Sequence, residues 1–502
     1  MLFNSIDFLI FFPIVLIIYF ILPSKVRYLW LLVTSYYFYM CWNPVYIVLI
    51  VTSTVLTYLC ALLLEKYKIE DCSLISKRIS TGKTIFIIGL GINLIILFYY
   101  KYTNFIIQSV NEILIKLSMK PISPRDILLP VGISFYTFQA LGYMIDVYKG
   151  EIKAEKNLLK YALFVSFFPQ LVAGPIERSK NLLKQIEEEG RHKLWNYERV
   201  TKGLILMLWG YFIKVVIADR IAVVADHIFS EYEQYGLIGL SIGVVCFGIQ
   251  IYCDFYGYST IAMGSAKVLD FHLMDNFNTP YFSMSITEFW KRWHISLSTW
   301  FKDYVYIPLG GSYVKKWKQY RNLMITFLVS GLWHGANWTY VFWGGIHGVY
   351  QIIERELEPI IEKLNKRCTT KVNSFGYKIT KVFITFILVN FAWIFFRAES
   401  LQHALDYIIR MISVRDWWSL FDQSIYTYGL DVQEWHIVLL SGLVFLVVEV
   451  MKYHRGLTIA DFLQKQWIIF RWAVIMYFII TCVIFGYYGP GFDSAQFIYF
   501  QF

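Results

Sequence analysis

Residues 45–64, VYIVLIVTSTVLTYLCALLL, run without a single charge until Glu65, Lys66 and Lys68 close the stretch. A helix rises 1.5 Å per residue, so about 20 apolar residues reach across the ~30 Å hydrocarbon core of a bilayer. Lipid offers no partner to an unpaired backbone N–H or C=O, so a crossing segment satisfies its own backbone as a helix. Similar runs recur along the chain, with cores near 6–22, 28–40, 84–100, 127–148, 158–173, 203–218, 237–263, 323–349, 379–396, 435–451 and 470–488. The stretch 28–40 is too short for a simple crossing. Gly132, Gly142 and Asp146 interrupt 127–148, which reads as re-entrant or buried. The expected fold is an all-α polytopic membrane protein with about eleven transmembrane helices plus re-entrant and interfacial ones. With no Gly/Ser linker, low-complexity tract or fixed-period repeat, one domain over 1–502 is the simplest organisation.

Composition agrees. Of the 502 residues 57% are hydrophobic and 19% aromatic, with 38 Tyr, 41 Phe and 17 Trp, as expected of a protein with much membrane–water interface. The formal charge of +10 resides in loops between apolar runs, and Lys66, Lys68, Lys77, Arg78 and Lys83 place the first such loop in the cytosol. No nucleic-acid module accompanies that charge, so nucleic acid is not an expected partner. Seven cysteines, at 41, 60, 72, 246, 253, 368 and 482, form no C-x-x-C pair, and neither a metal site nor a disulfide framework is indicated. Met1 to Leu22 lacks a basic n-region and a small-residue cleavage site, and reads as a retained membrane segment.

The strongest chemical signal is His334, in LVSGLWHGANW within the apolar run 323–349. An ionisable side chain inside a membrane segment is costly and marks a candidate site. On a continuous helix Ser330, Asn337 and Trp338 share its face, Asn337 orients the imidazole, and Gly331 and Gly335 let another helix or a substrate come close. A packed, hydrogen-bonded histidine is the plain alternative. His347, thirteen residues on and on another face, reads as a packing or interface residue.

A second signal is SITEFWKRWHISLSTWFKDYVYIPLGG, 285–311. Ser285 with Glu288 marks a helix start, and Phe289, Trp293, Leu297 and Trp300 recur on one face of an amphipathic helix at, or dipping into, the interface. His294 lies within it, beside Trp290. Lys291, Arg292 and Lys302 are placed to meet donor phosphates or lipid headgroups, and Asp303 and Trp333 join the candidate substrate-binding set. Gly174-Pro175, before Glu177 and Arg178, ends a helix, which reads as an ordinary terminus. The aromatic tail 489–502 carries Tyr499, either an interfacial anchor or a hydroxyl delivered to the site.

Together LWHGANWTYVFWGGIHG, EFWKRWHISLSTWFKDYVYIPLGG, GISFYTFQALGYMIDVYKG and FFPQLVAGPIERS resemble the membrane-bound O-acyltransferase (MBOAT) superfamily over nearly the whole chain. The resemblance is strongest to its bacterial alginate O-acetyltransferase-like branch, with teichoic acid D-alanyl transferase as a cousin. It implies a ring of transmembrane and re-entrant helices around a central tunnel. The family histidine maps onto His334 and its second polar position onto His294. The implied donor is an acyl thioester used as substrate, acetyl-CoA or an acyl carrier protein, with no bound cofactor. The tail pattern Phe497-x-Tyr499-x-x-Phe502 is similar to that of a small partner protein in the D-alanyl systems, which makes Tyr499 a candidate acyl relay.

The expected function is therefore transfer of an acyl group, acetyl, from a cytosolic donor toward a cell-envelope polysaccharide, in a multi-pass protein of the bacterial cytoplasmic membrane. His334 serves as general base and His294 orients the acceptor or steadies the oxyanion. A secreted SGNH-type transferase is the expected partner, and membrane lipid the surroundings. Alginate, peptidoglycan, secondary wall polysaccharide and cellulose all remain open as acceptors. The rival is a transporter or flippase of a polysaccharide intermediate, which needs neither the histidine pair nor the tail.

Overall fold

The computed structural model describes residues 1–70, 78–171, 174–188, 195–369 and 371–488, with no strand among them. By internal contacts the chain forms two compact units, one of Met1–Val200 with Ser265–Met274, the other of Thr201–Gly264 with the described residues from Asp275 onward. The first holds α1 (Ile6–Ile21), α2 (Ser24–Met40), α3 (Ile47–Glu70), α4 (Arg78–Lys116), α5 (Ile133–Lys149), α6 (Leu158–Ser166), α7 (Phe168–Leu171) and α8 (Ser179–Glu188). The chain passes into the second within α9 (Tyr197–Tyr211), then continues through a π-turn (Phe212–Ala218), α10 (Asp219–Ser230) and α11 (Leu237–Val268). There follow α12 (Ile286–Arg292), α13 (Ile295–Phe301), a second π-turn (Lys302–Tyr306), α14 (Lys316–His334) and α15 (Trp338–Arg367). The last helices are α16 (Phe375–Arg397), α17 (Leu401–Ser413), α18 (Val432–Arg455), α19 (Ile459–Gln464) and α20 (Ile468–Phe485).

Seven helical stretches among the described residues are long and apolar enough to cross a bilayer: Pro44–Tyr67, Thr81–Lys116, Tyr197–Ser230, Leu237–Val268, Phe375–Arg397, Val432–Arg455 and Ile468–Phe485. The apolar α1 is shorter, and Ser5 caps it by accepting the Phe8 N–H. α5, the segment expected to be re-entrant or buried, is buried along nearly its whole length. Its Asp146 accepts from Ser179 Oγ at 3.0 Å. The chain runs without helix from Gly174 to Arg178, as Gly174-Pro175 predicts. Glu177 is buried there and accepts from Asn181 Nδ2 at 2.8 Å and from the Met274 N–H, an ordinary structural role.

Two glycine contacts set the registers that matter for the second unit. A Cβ on Gly210 of α9 would come within 2.7 Å of the Gly257 carbonyl of α11, and one on Gly264 within 2.7 Å of the Gly203 carbonyl. These helices therefore meet backbone to backbone. Likewise a Cβ on Gly331 of α14 would collide with the Tyr340 carbonyl of α15, and one on Gly344 with the Phe327 carbonyl. The small residues expected at Gly331 and Gly335 do admit a close neighbour: the α15 backbone at Gly331 and the Tyr340 ring at Gly335.

Candidate active site

The run 323–349 reads as one membrane segment, but it is the turn of a hairpin. α14 ends at His334, Gly335 is extended, and Asn337 caps α15 by accepting the Thr339 N–H at 3.1 Å. The Asn337 amide donates to the Glu399 carbonyl at 3.0 Å, so it secures the turn rather than the imidazole. Trp338 begins α15 and is exposed, away from the face expected for it. The imidazole is oriented instead by the Ser330 carbonyl, 2.7 Å from Nδ1. A carbonyl can only accept, so Nδ1 carries the proton and Nε2 carries the lone pair of neutral His334. The ring is buried, against Trp343 at 4.9 Å and Phe396 at 5.7 Å between centroids.

The stretch expected to form one amphipathic helix is broken at the second histidine. α12 ends at Arg292, and His294 takes a left-handed conformation with φ of 43° before α13 begins. For a non-glycine residue this costs about 1–2 kcal/mol and persists only where neighbours impose it. The segment Asn276–Asn278 does so. Asn278 N–H donates to the Arg292 carbonyl and Ile295 N–H to the Asn276 carbonyl, each at 2.9 Å. The Asn276 side chain adds Ser296 Oγ at 2.6 Å and Ser259 Oγ at 2.9 Å. Thus clamped, the fully buried His294 ring lies 4.7 Å from Phe255 and 6.1 Å from Trp333. At the other end of α12, Ser285 Oγ accepts the Glu288 N–H, as the sequence predicts, while the Glu354 carboxylate of α15 accepts the Ile286 N–H at 2.7 Å.

Trp333 lies between the two histidines, with centroids 6.1 Å from His294 and 5.0 Å from His334. Trp343 similarly links His334, at 4.9 Å, to His347, at 5.1 Å. His347 is thus a member of the cluster, because the hairpin folds α15 back beside α14. Trp290 Nε1 donates to His347 Nδ1 at 3.2 Å. An indole nitrogen only donates, so neutral His347 carries its proton on Nε2, the opposite tautomer to His334.

Beside this cluster lies a cavity of about 410 Å³. Among its lining residues are the buried Trp290, Leu323, Phe327 and Ser330 and the cations Lys291, Lys302 and Arg355. Of the cations expected to meet a donor, Lys291 and Lys302 line it, but Arg292 does not. Arg292 pairs with Glu288 at 2.9 Å and donates to Thr279 Oγ1 at 3.0 Å, bracing the His294 turn. Arg355 takes its place, unmarked in sequence because it lies two turns beyond His347 in a charged stretch. Trp333, Asn337 and Asp303 are not among the lining residues.

A second group escaped sequence reading. Lys214 lies 2.6 Å from Asp219 and 2.6 Å from Asp254, all three buried. Positions five apart on an α-helix diverge by about 140°, but the π-turn brings Lys214 and Asp219 together, and the glycine register sets Asp254 opposite. A lysine and an aspartate inside apolar runs were the available signal. Tyr499 and the tail 489–502 lie outside the described residues. Just before the tail, Tyr487 donates its N–H to the Val215 carbonyl at 2.9 Å and its hydroxyl to Glu434 at 2.7 Å.

The described residues thus combine a multi-pass helical fold with a buried imidazole held in one tautomer beside a cavity that Lys291, Lys302 and Arg355 help to line. Residues 62–396 match the membrane-bound O-acyltransferase family, MBOAT. The chain is 40% identical over 421 residues to the probable alginate O-acetylase AlgI of Pseudomonas aeruginosa, covering 83% of this chain and 76% of that protein. It is 35% identical over 433 residues to the peptidoglycan O-acetyltransferase of Helicobacter pylori, covering 80% and 78%. A more distant relative is the teichoic acid D-alanyltransferase of Bacillus subtilis, 27% identical over 292 residues, 56% of this chain and 71% of that one. The chain belongs to the MBOAT family and is a multi-pass membrane O-acyltransferase.

Proposed function

We propose that the enzyme moves an acetyl group from cytosolic acetyl-CoA toward hydroxyls of a cell-envelope polysaccharide across the bacterial cytoplasmic membrane. The observation that carries the chemistry is the hydrogen bond from His334 Nδ1 to the Ser330 carbonyl, which makes Nε2 the basic nitrogen. A hydroxyl oxygen attacks the thioester carbonyl carbon while His334 Nε2 takes its proton. The C–S bond then breaks, and the proton passes from His334 to the leaving thiolate. General-base assistance of this kind contributes about 10²–10⁴ in rate. His294 faces the same Trp333 ring and serves to orient the acceptor or to steady the oxyanion.

Lys291, Lys302 and Arg355 suit the phosphates of CoA, and the apolar interior suits its pantetheine arm. α14 begins with Lys316, Lys318 and Arg321 at the end of the hairpin where α15 finishes with Lys363, Lys366 and Arg367, a cytosolic signature. An acceptor on the far side is reached through Tyr499 as a relay: its phenolic oxygen takes the acetyl group, and a secreted SGNH-type partner moves it onto sugar. The relatives named for alginate and peptidoglycan favour a polysaccharide acceptor.

The test is ester-linked acetate on extracellular polysaccharide in a deletion strain complemented with wild type or His334→Ala. Acetate restored by wild type alone, with both proteins in the membrane, is expected. Equal restoration would end the base assignment. Peptide mass spectrometry of the tail tests the relay separately, since an acetyl adduct on Tyr499 should accumulate without the partner.

A further inference from the structure

α18 is an apolar span whose last two turns carry Glu449 and Lys452, three residues apart and so neighbours on one side of the helix. Neither lines the cavity near the His334 cluster. What Lys452 holds is the segment that clamps His294. Its Nζ donates to the Phe277 carbonyl at 3.0 Å and to Tyr256 Oη at 3.3 Å, and lies 4.9 Å from the centre of the Tyr256 ring. Phe277 is buried, and among the described residues no main-chain N–H donates to its carbonyl. A buried carbonyl needs a donor, and here a lysine 175 residues away supplies it. Phe277 stands between Asn276 and Asn278, whose hydrogen bonds to Ile295, Ser296 and Arg292 impose the left-handed turn. Its ring lies 5.0 Å from Trp293 and 5.0 Å from Phe255, the ring that meets His294 at 4.7 Å. Glu449 supports the same turn by a second route. It accepts the Tyr252 hydroxyl at 2.6 Å, and the Tyr252 ring lies against Trp293 at 5.8 Å and Phe277 at 5.5 Å. Arg292 holds the far end of the segment through the Asn278 carbonyl at 3.2 Å and Thr279 Oγ1 at 3.0 Å.

We propose that Lys452 is a positioning residue for acyl transfer: it fixes the Asn276–Asn278 segment from α18 and, through that segment, the direction of the His294 ring. The inference rests on reading His294 as part of the transfer machinery. A left-handed residue other than glycine persists only where its neighbours impose it. The neighbours of His294 are two main-chain bonds from a segment without helix or strand, so that segment must itself be held. Arg292 fastens one end of it to α12, and Lys452 fastens its middle to α18. Without the ammonium the Phe277 carbonyl loses its donor, the segment shifts, and the His294 ring shifts with it. A misplacement of about 1 Å at a reacting group costs about 10² in rate.

The test is the rate at which labelled acetate becomes ester-linked to extracellular polysaccharide in the complemented deletion strain, per amount of full-length protein in the membrane. Lys452→Met, or Lys452→Gln as the milder change, should lower that rate by about 10- to 100-fold. Lys452→Arg, which keeps the charge and N–H donors, should restore most of it. His294→Ala should lower the rate by about 10²–10³. In that background Lys452→Met should cost nothing further, because residues that act through one group are not additive. A lysine with a merely structural role would lower the rate by the same factor in both backgrounds. That result overturns the proposal and leaves the role of His294 standing, as does a full rate in both the Met and Gln variants. A wild-type rate in His294→Ala overturns the role of His294 itself, and the positioning role with it.

Discussion

Lys214 and His334 are both ionisable side chains buried in helices of the same unit, and they are accommodated in opposite ways. The Lys214 ammonium is met by two carboxylates at 2.6 Å each, from Asp219 across the π-turn and Asp254 on α11. His334 meets a main-chain carbonyl through Nδ1 and has the rings of Trp333, Trp343 and Phe396 around it. A charge in an apolar interior must be neutralised where it stands, so the lysine group is bound into the fold. An imidazole can enter uncharged, held by one nitrogen, and keep the other for proton transfer. Burial of a titratable group thus says little about its role, whereas the state in which its neighbours hold it says much.

The sharpest way to break the comparison is Lys214→Met. It leaves two buried carboxylates without their cation, and a loss of about 3–5 kcal/mol is expected, read as a collapsed melting transition and little monodisperse protein in detergent. A variant as stable as wild type would show that the triad does not hold the fold. His334→Gln should behave in the opposite manner, with melting within about 2 °C of wild type and acyl transfer down by about 10²–10⁴. A parallel fall in both would make His334 a packing residue.

Gly331→Ala joins the two behaviours in one position, since its methyl would strike the Tyr340 carbonyl. Overpacking of about 1–3 kcal/mol is expected, with lost transfer as the neighbouring Ser330 carbonyl shifts. Activity retained at full stability would mean that the hairpin opens without cost. The smallest effect is expected at the cavity rim. Arg355→Ala should weaken acetyl-CoA binding about fivefold, an ion-pair contribution of about 1 kcal/mol, and lessen its salt dependence. Arg292→Ala should instead lower stability, because that guanidinium braces the His294 turn. Reversed results would return Arg292 to the donor.

Much of the membrane architecture is legible in the sequence, because an uncharged run such as 45–64 has one inexpensive arrangement in lipid. The hairpin was legible in principle: Gly335-Ala336-Asn337 is a helix stop followed by an N-cap, hidden by the apolar residues on either side. The left-handed turn at His294 was not. Nothing in Trp293-His294-Ile295 departs from helical patterning, and the break is imposed by Asn276–Asn278, a segment well separated in the chain. Helical spacing therefore placed Ser330 correctly beside His334 and misplaced Asn337, on the far side of a break it could not register.

The sequence by itself determined that the chain is a helical membrane protein, that His334 and His294 are its chemical candidates, and that cations accompany them, since hydropathy and the cost of buried polar groups act on each segment locally. Only the tertiary structure decided which nitrogen of neutral His334 and of neutral His347 is basic, that His347 joins the cluster around His334 and Arg355 lines the cavity while Arg292 braces the His294 turn, and that Lys214 meets Asp254. Those outcomes depend on the registers between helices, which the close contacts at Gly331, Gly344, Gly210 and Gly264 fix and no local pattern encodes.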